Sequence, residues 1–494
     1  MEHLSIRKKN DVYLQVDSSS GVFQELSQFF CFFVPGYQFM PAYKSKMWNG
    51  KIYLFNTMDG SLYTGLLHYL KVFCDARRYT FDVDPKLEEI QPWLREDTEK
   101  FIRSLKLPFT ARDYQATAIN HAVKHRRALL VSPTGSGKSL ILYSIARYYK
   151  KKTLIIVPTI SLVSQMISDF REYSKEDPSF DVDKMCHPIF AGQDKVSKKP
   201  IIVSTWQSIY KMPKEFFKDF EVVMGDEVHQ YKATSMKGIM EKLVSCPYRF
   251  GTTGTLDGLQ TNKLVLEGLF GPALKVTTTK ILMDKKQLAE LNIQCLVLKY
   301  SEETTKANKI LNYQDEIKFL VLNKKRNIFI RNLAISMKAN TLVLFQFVES
   351  HGKVLHELIV KKLAQADPTR KVFFVSGETE GDVRENIRKL TEKEKNAIIV
   401  ASSGVFSTGV NIRNLENIIF ASPTKSRIKT LQSIGRALRI GDNSDKATLY
   451  DLVDDMTHKQ HKNFAIKHFL ERVKIYDGEK FKYKLHQIDL EANK

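Results

Sequence analysis

The sequence predicts an α/β protein: two tandem lobes, each a parallel sheet covered by helices, behind a small α+β accessory domain. Three observations carry that expectation. From about residue 110, short β-branched runs (RALLVS, TLIIVP, PIIVST, FEVVMGDE, YRFGTTGT) alternate with longer helical patterns. This is the rhythm of parallel strands joined by helical crossovers. The rhythm restarts with NTLVLF, RKVFFVSG, NAIIVAS, ENIIFASP and ATLYDLVDD. Finally, 494 residues are too many for one hydrophobic core. The two halves are alike in pattern, not in residues.

The N-terminal part is rich in aromatics. In MWNGKIYLF, Asn49-Gly50 precedes alternating apolar residues and predicts a hairpin turn. SLYTGLLHYLKVFCDARRY carries apolar residues at helical spacing. The polar stretch DPKLEEIQPWLREDTEK holds the expected boundary, giving an accessory domain over 1–95, a first lobe over 96–278 and a second over 279–494. YQDEIKFLVLNKKRNIFIRNLAISM reads as helical. The tail KIYDGEKFKYKLHQ alternates basic and aromatic residues, and both an edge strand and a nucleic-acid contact fit it.

Lys and Arg number 76 against 55 Asp and Glu, a net charge of +21. Such a field concentrates polyanions, with nucleic acid the first partner to consider and an anionic membrane surface the second. No apolar run of spanning length is present, and the N-terminus has no signal-peptide pattern. The five cysteines form no C-x-x-C pair, so neither zinc nor a disulfide framework is expected; they read as buried thiols in a reducing cytoplasm. The 12 histidines lack ligand spacing, so no metal cluster is expected.

The strongest local signal is LLVSPTGSGKSLILYSIARYY. An apolar strand runs into Pro133, Thr134, Gly135, Ser136, Gly137, Lys138 and Ser139, and a helix follows. Glycines let successive N–H groups wrap a phosphate, and the helix N-terminus adds partial positive charge. Lys138 is placed for β/γ-phosphates and the Ser139 hydroxyl for Mg²⁺. Ser132 stands where the usual pattern has glycine. Farther on, VVMGDEVHQ ends a strand in Asp226 and Glu227. Asp226 suits Mg²⁺ held through water, and Glu227 suits the polarisation of an attacking water. Near the C-terminus, LQSIGRALRI sets Arg436 and Arg439 one turn apart on a helix. Alone they describe a solvated face; with a phosphate loop upstream, they suit a γ-phosphate.

The ordered set resembles a superfamily 2 helicase of the DExH type. The resemblance implies that both lobes are RecA-like. Arg112-Asp113-Tyr114-Gln115 stands where such proteins read adenine, implying contacts from Arg112 and Gln115. VPTISLVSQ and STWQS resemble nucleic-acid motifs, implying Thr159, Gln165, Thr205 and Gln207 as backbone contacts. His229, in the Asp226–His229 box, is implied to link the nucleotide and nucleic-acid sides. GTTGT is a looser match, carrying Thr253 and Thr255 as coupling residues. FSTGVNI matches the motif beside nucleotide and nucleic acid in the second lobe, with Thr408, Gly409 and Asn411. QSIGRALR is the last motif, with Gln432 beside the water and Arg436 and Arg439 on the γ-phosphate.

Within the superfamily, the aromatic N-terminal module, SGETEGDVR, VASSGVFSTGV and YDLVDD resemble bacteriophage recombination and repair helicases. That implies an ATP- and Mg²⁺-dependent motor in the host cytoplasm. Its substrates would be single-stranded and branched DNA (forks, Holliday junctions, D-loops, and R-loops with their RNA–DNA hybrids), tracked 3′ to 5′. In the accessory domain, Trp48 and Lys51 lie among interleaved aromatics and lysines, which suit either base stacking or a small core. An RNA helicase and a nucleotide-gated clamp remain alternatives. The motor expectation has a direct consequence. Arg436→Ala or Arg439→Ala should reduce ATP turnover by about 10³- to 10⁵-fold in a steady-state assay, with fluorescent-nucleotide binding largely retained.

Overall fold

The computed structural model describes residues 2–190, 194–231, 233–254, 256, 260–309, 311–408, 414–422 and 446–491. The chain divides into two compact units, Met1–Ser132 with Gly137–Thr277 and Thr278–Lys494 with Pro133–Ser136.

The N-terminal module contains β1 (His3–Lys8), β2 (Tyr13–Asp17), β3 (Cys31–Phe33), β4 (Lys51–Tyr53), β5 (Ser61–Tyr63) and β6 (Thr80–Val83), with helices Ser20–Phe29 and Leu67–Arg77. Four strands form a sheet in the order β5-β2-β1-β6, while β3 and β4 make a separate antiparallel pair. Asn49-Gly50 does not close a two-residue turn as its sequence suggests. The β3–β4 connection is residues 34–50, and the Asn-Gly pair lies at its end. There the Asn49 side chain accepts from the Lys51 N–H at 3.0 Å. Gly50, at φ +80°, offers its carbonyl to Val34 N–H at 2.8 Å. The dipeptide's turn chemistry is used, but to re-enter a strand after a long excursion.

This module shares one apolar core with the rest of the first unit: Leu4, Ile6, Leu14 and Leu70 belong with Leu129, Ile156 and Phe270. The junction also has specific polar contacts. Tyr13 and Tyr63, a stacked cross-strand pair, both donate hydroxyl hydrogen bonds to Glu241. Gly65 lies so close to the Glu267 carbonyl that a Cβ would stand 1.9 Å from its oxygen.

The first unit's main sheet comprises β7 (Arg127–Val131), β8 (Thr153–Val157), β9 (Cys186–Ile189), β10 (Ile201–Thr205), β11 (Val222–Gly225), β12 (Tyr248–Thr253) and β13 (Ala273–Lys275). Their order is β13-β7-β12-β11-β8-β10-β9, and every ladder is parallel. The two-residue period of a strand divides each run between two cores. Leu154 and Ile156 pack on the face shared with the N-terminal module, whereas Ile155 and Val157 pack on the other. Burial on both faces is why these strands read as unbroken apolar runs.

The second unit has a similar parallel sheet: β14 (Glu290–Lys299), β15 (Thr341–Phe345), β16 (Val372–Val375), β17 (Ile398–Ser402), β18 (Asn417–Phe420), β19 (Lys446–Asp455) and β20 (Tyr483–Asp489), in the order β16-β17-β15-β18-β19-β14-β20. Lys474–Gly478 of the basic-aromatic tail end the helix Phe464–Gly478, and from Tyr483 the tail is an edge strand, β20, paired parallel with β14. The long helical stretch is two helices, Tyr313–Leu322 and Lys324–Ser336. Asn323 separates them and caps the second through Arg326 N–H at 2.9 Å. Two fully buried ion pairs fix this unit's interior. Arg326 pairs with Asp454 at 2.7 Å, and Arg472 pairs with Asp451 at 2.8 Å. Tyr300 and Tyr476 donate their hydroxyls to the same carboxylates. Removing one member of such a pair leaves a buried charge and costs about 3–5 kcal/mol. No described helix is long and apolar enough to cross a membrane.

Candidate active site

The phosphate loop joins β7 to the helix Lys138–Tyr149. Gly135 and Gly137 have φ of +83° and +76°, in the left-handed region that glycine enters without a Cβ clash. At Gly137 the restriction is also spatial, because a Cβ would lie 2.3 Å from the Gln115 side-chain nitrogen. Gln115 donates to the Gly137 carbonyl at 3.5 Å and accepts from Arg112 N–H at 2.8 Å. The Arg112 guanidinium donates to the Tyr114 hydroxyl at 2.8 Å. Two residues proposed at the adenine end therefore fasten the loop to the start of helix Asp113–His125.

Lys138 is 9% exposed; its ammonium donates to the Ser132 carbonyl at 3.3 Å and pairs with Glu227 at 3.1 Å. Glu227 and Asp226 follow directly on β11. Glu227 has φ +48°, a conformation that costs a non-glycine residue about 1–3 kcal/mol and clusters at functional sites. The turn separates the two acids. Asp226 accepts from the Thr252 hydroxyl at 2.6 Å and from Glu227 N–H at 3.0 Å. Glu227 accepts from Gly254 N–H at 3.3 Å and lies 3.5 Å from His229 Nδ1. That same nitrogen is 2.7 Å from the Thr253 hydroxyl. His229 thus joins the acidic turn to the end of β12. Burial raises the Asp226 pKa to about 6, and the adjacent Glu227 charge adds to the rise.

The Ser139 hydroxyl lies 2.7 Å from that of Tyr173. Thr159 caps the helix Ile160–Tyr173, accepting from Leu162 N–H at 3.4 Å; half-buried Gln165 lies on that helix. Thr205 is buried with its hydroxyl 2.8 Å from Ser208, and Gln207 donates to the Pro158 carbonyl at 3.3 Å. Trp48, in the N-terminal module, donates its indole N–H to the Lys51 carbonyl at 2.8 Å, and Lys51 lies over the Phe33 ring. Pro133, Thr134 and Ser136 lie in the phosphate loop. Thr408 ends the helix Ser403–Thr408. Thr255, Gly409, Asn411, Gln432, Arg436 and Arg439 lie outside the described residues.

Sequence patterns missed four contacts. Thr252, Gly254, Tyr173 and Tyr231 all touch site residues; the Tyr231 hydroxyl donates to the Asp226 and Ile156 carbonyls at 2.6 and 2.7 Å. Thr252 was within reach of pattern reading, because it lies in the GTTGT segment. Its partner follows only from the β11–β12 register, which pairs Gly225 with Gly251.

A phosphate loop, an Asp-Glu pair two strands away and two tandem parallel sheets define a nucleotide hydrolase of helicase superfamily 2. Comparison with known proteins agrees. Family models match for the type III restriction enzyme res subunit over residues 108–258, the N-terminal domain of DNA helicase UvsW over 4–84, and the helicase conserved C-terminal domain over 324–441. The chain is 36% identical over 504 residues to the ATP-dependent DNA helicase uvsW of Enterobacteria phage T4, covering 97% of this chain and 98% of that protein. A crystal structure of T4 UvsW superposes with TM-score 0.53 at 34% identity, covering 99% and 100% of the two chains. A DNA 3′-5′ translocase XPB2 of Sulfurisphaera tokodaii is 26% identical over 412 residues, 77% of this chain and 88% of that one. The chain belongs to the UvsW family of ATP-dependent DNA helicases.

The raised Asp226 pKa has a consequence for stability. Its folded value, about 6, lies above its usual 3.8, so ionisation opposes folding. Its contribution is complete below about pH 4 and is lost as pH rises through about 6. Thermal midpoints of the nucleotide-free protein should fall across that window for this reason, and Asp226→Asn should flatten that part of the profile.

Proposed function

We propose that this chain couples ATP hydrolysis to the unwinding or branch migration of branched DNA: forks, Holliday junctions, D-loops and R-loops. One observation carries the chemistry. Glu227 is held in a left-handed turn with Lys138 on one oxygen and the Gly254 N–H on the other. It is a preorganised carboxylate at the mouth of the phosphate loop.

In the structure Lys138 is paired with Glu227. Triphosphate competes for the ammonium, so binding frees Glu227 to accept a proton from water. The ordering is useful, because the base becomes available only when phosphate has taken its cation. The loop N–H groups and the start of helix Lys138–Tyr149 hold the phosphates. Gln115 and Arg112 brace the loop from the adenine side. The Ser139 hydroxyl and Asp226 carboxylate would hold Mg²⁺, which supplies charge neutralisation at the phosphates. Hard oxygen donors and a buried carboxyl whose pKa is raised by burial and by the Glu227 charge fit such an ion. Arg436 and Arg439 serve as transition-state cations and Gln432 orients the water.

Thr159, Gln165, Thr205 and Gln207 belong to the nucleic-acid side. Thr159 and Thr205 contact residues three positions on and Gln207 reaches the Pro158 carbonyl, so the backbone phosphates they take would replace water or these internal partners. His229 and Thr253 carry the link between that side and Glu227. Trp48 and Lys51 would add a duplex or single-strand contact in the accessory domain. Similarity to a protein described as a DNA 3′-5′ translocase supports 3′ to 5′ tracking, and the R-loops of this proposal bring RNA–DNA hybrids among the substrates.

ATPase and strand-displacement assays over single strands, forks, four-way junctions, D-loops, R-loops and RNA test this function. Branched DNA should stimulate turnover most, and Glu227→Gln should lower turnover about 10²- to 10⁴-fold and stop displacement. Stimulation by RNA alone, or displacement that survives Glu227→Gln, contradicts it.

A further inference from the structure

We propose, on the reading of this chain as a DNA motor, that the turn Met456–Asn463 at the end of β19 is a binding site for the phosphate backbone of a DNA strand. The turn lies outside every motif discussed above.

Its chemistry is one-sided. From Met456 to Leu470 the chain has three lysines, three histidines and no Asp or Glu. Lys459, His461 and Lys462 are exposed. Among the described residues, no ion pair takes Lys459 or Lys462. Asp455, the nearest acid in sequence, is neutralised by Lys299 and accepts from Thr457 N–H at 3.0 Å. Glu302 borders a cleft of about 360 Å³ beside Thr457, His458 and Lys459. That carboxylate favours anion contact at the turn's tip rather than within the cleft.

The turn is built rigidly. His458 and His461 exchange both backbone hydrogen bonds, at 3.1 and 3.0 Å, with Lys459 between them at φ +54°. Asn463 clamps the two feet, accepting from Met456 N–H at 3.1 Å and donating to the Asp454 carbonyl at 3.0 Å. Buried Glu316 holds Asn463 at 2.9 Å and accepts from Phe464 and Ala465 N–H at 2.8 and 2.7 Å. Glu316 thereby occupies the N-terminus of helix Phe464–Gly478, so the site consists of side chains and not of that helix end. A turn fixed before binding loses less entropy when an anion arrives.

Position gives the partner. β14, β15, β17, β18 and β19 are mutually parallel, so their C-terminal ends share one edge of the sheet. Ligands of parallel sheets gather at that edge. The VASSGVFSTGV segment leaves β17 there, and the turn leaves β19 three strands away. A strand of DNA following the edge passes from one to the other, and a lysine-bearing turn contacts phosphate without reading bases.

Binding of a fluorescein-labelled oligothymidine strand, measured by anisotropy at a series of salt concentrations, tests the site. The double variant Lys459→Ala with Lys462→Ala should reduce the slope of log affinity against log salt by about 0.7 per lysine. Its thermal midpoint should match wild type. Lys361→Ala with Lys362→Ala removes the same charge at the end of helix Val354–Ala366, which returns to the opposite edge of the sheet. That control should keep the wild-type slope. A wild-type slope in the first variant, or equal losses in both, overturns the site while leaving the motor intact. A wild-type protein with no salt-dependent affinity overturns the DNA reading itself.

Discussion

The ion pair between Lys138 and Glu227 is the interaction on which the site depends. It spans two strands that are not neighbours, since β12 lies between β7 and β11. It therefore exists only if the parallel ladder is in register. The register also brings Thr252 to Asp226 and Thr253 to His229. One side of the sheet's C-terminal edge thus carries the phosphate loop, both acids and the histidine. The surrounding core is what holds them: alternate residues of each strand are committed to opposite apolar faces, so a one-residue slip would exchange the two faces and misfit both cores.

Burial makes this arrangement electrostatically tense. Two carboxylates on successive residues face one ammonium, and at Asp226 burial and the neighbouring Glu227 charge raise the pKa. The left-handed turn at Glu227 adds backbone strain. Under the proposed function, Mg²⁺ beside Asp226 would offset the first of these. The N-terminal module is bound up with the same frame. It shares a core with β7, β8 and helix Gln260–Phe270, and its tyrosines clasp the helix that follows the acidic box. The second unit relies on different means, its two buried arginine–aspartate pairs.

Much of the fold was legible because buried parallel strands write themselves as β-branched runs. The ten strands read that way are all present. The strands of the two parallel sheets that were missed had reasons to be missed. β9 contains Pro188, β13 spans three residues, and β14 begins with polar alternation before its apolar end. In the accessory domain, β5 opens a segment whose apolar spacing reads as helical. Asn49-Gly50 misled because turn chemistry is local, whereas the distance between β3 and β4 along the chain is not. The phosphate loop and acidic box were legible because one short segment carries each. Thr252, Tyr173 and Tyr231 act through pairings between distant segments, which no local pattern records.

The central claim is that Lys138 and Glu227 hold each other until nucleotide separates them. A double-mutant cycle on ATP affinity, using Glu227→Gln and Lys138→Ala alone and together, measures it directly. Loss of the competing carboxylate removes a charge-assisted bond of about 1.5 kcal/mol, so Glu227→Gln should bind ATP about tenfold more tightly than wild type. That gain should disappear when Lys138 is also alanine. An unchanged affinity in Glu227→Gln, or a gain that persists without Lys138, contradicts the account.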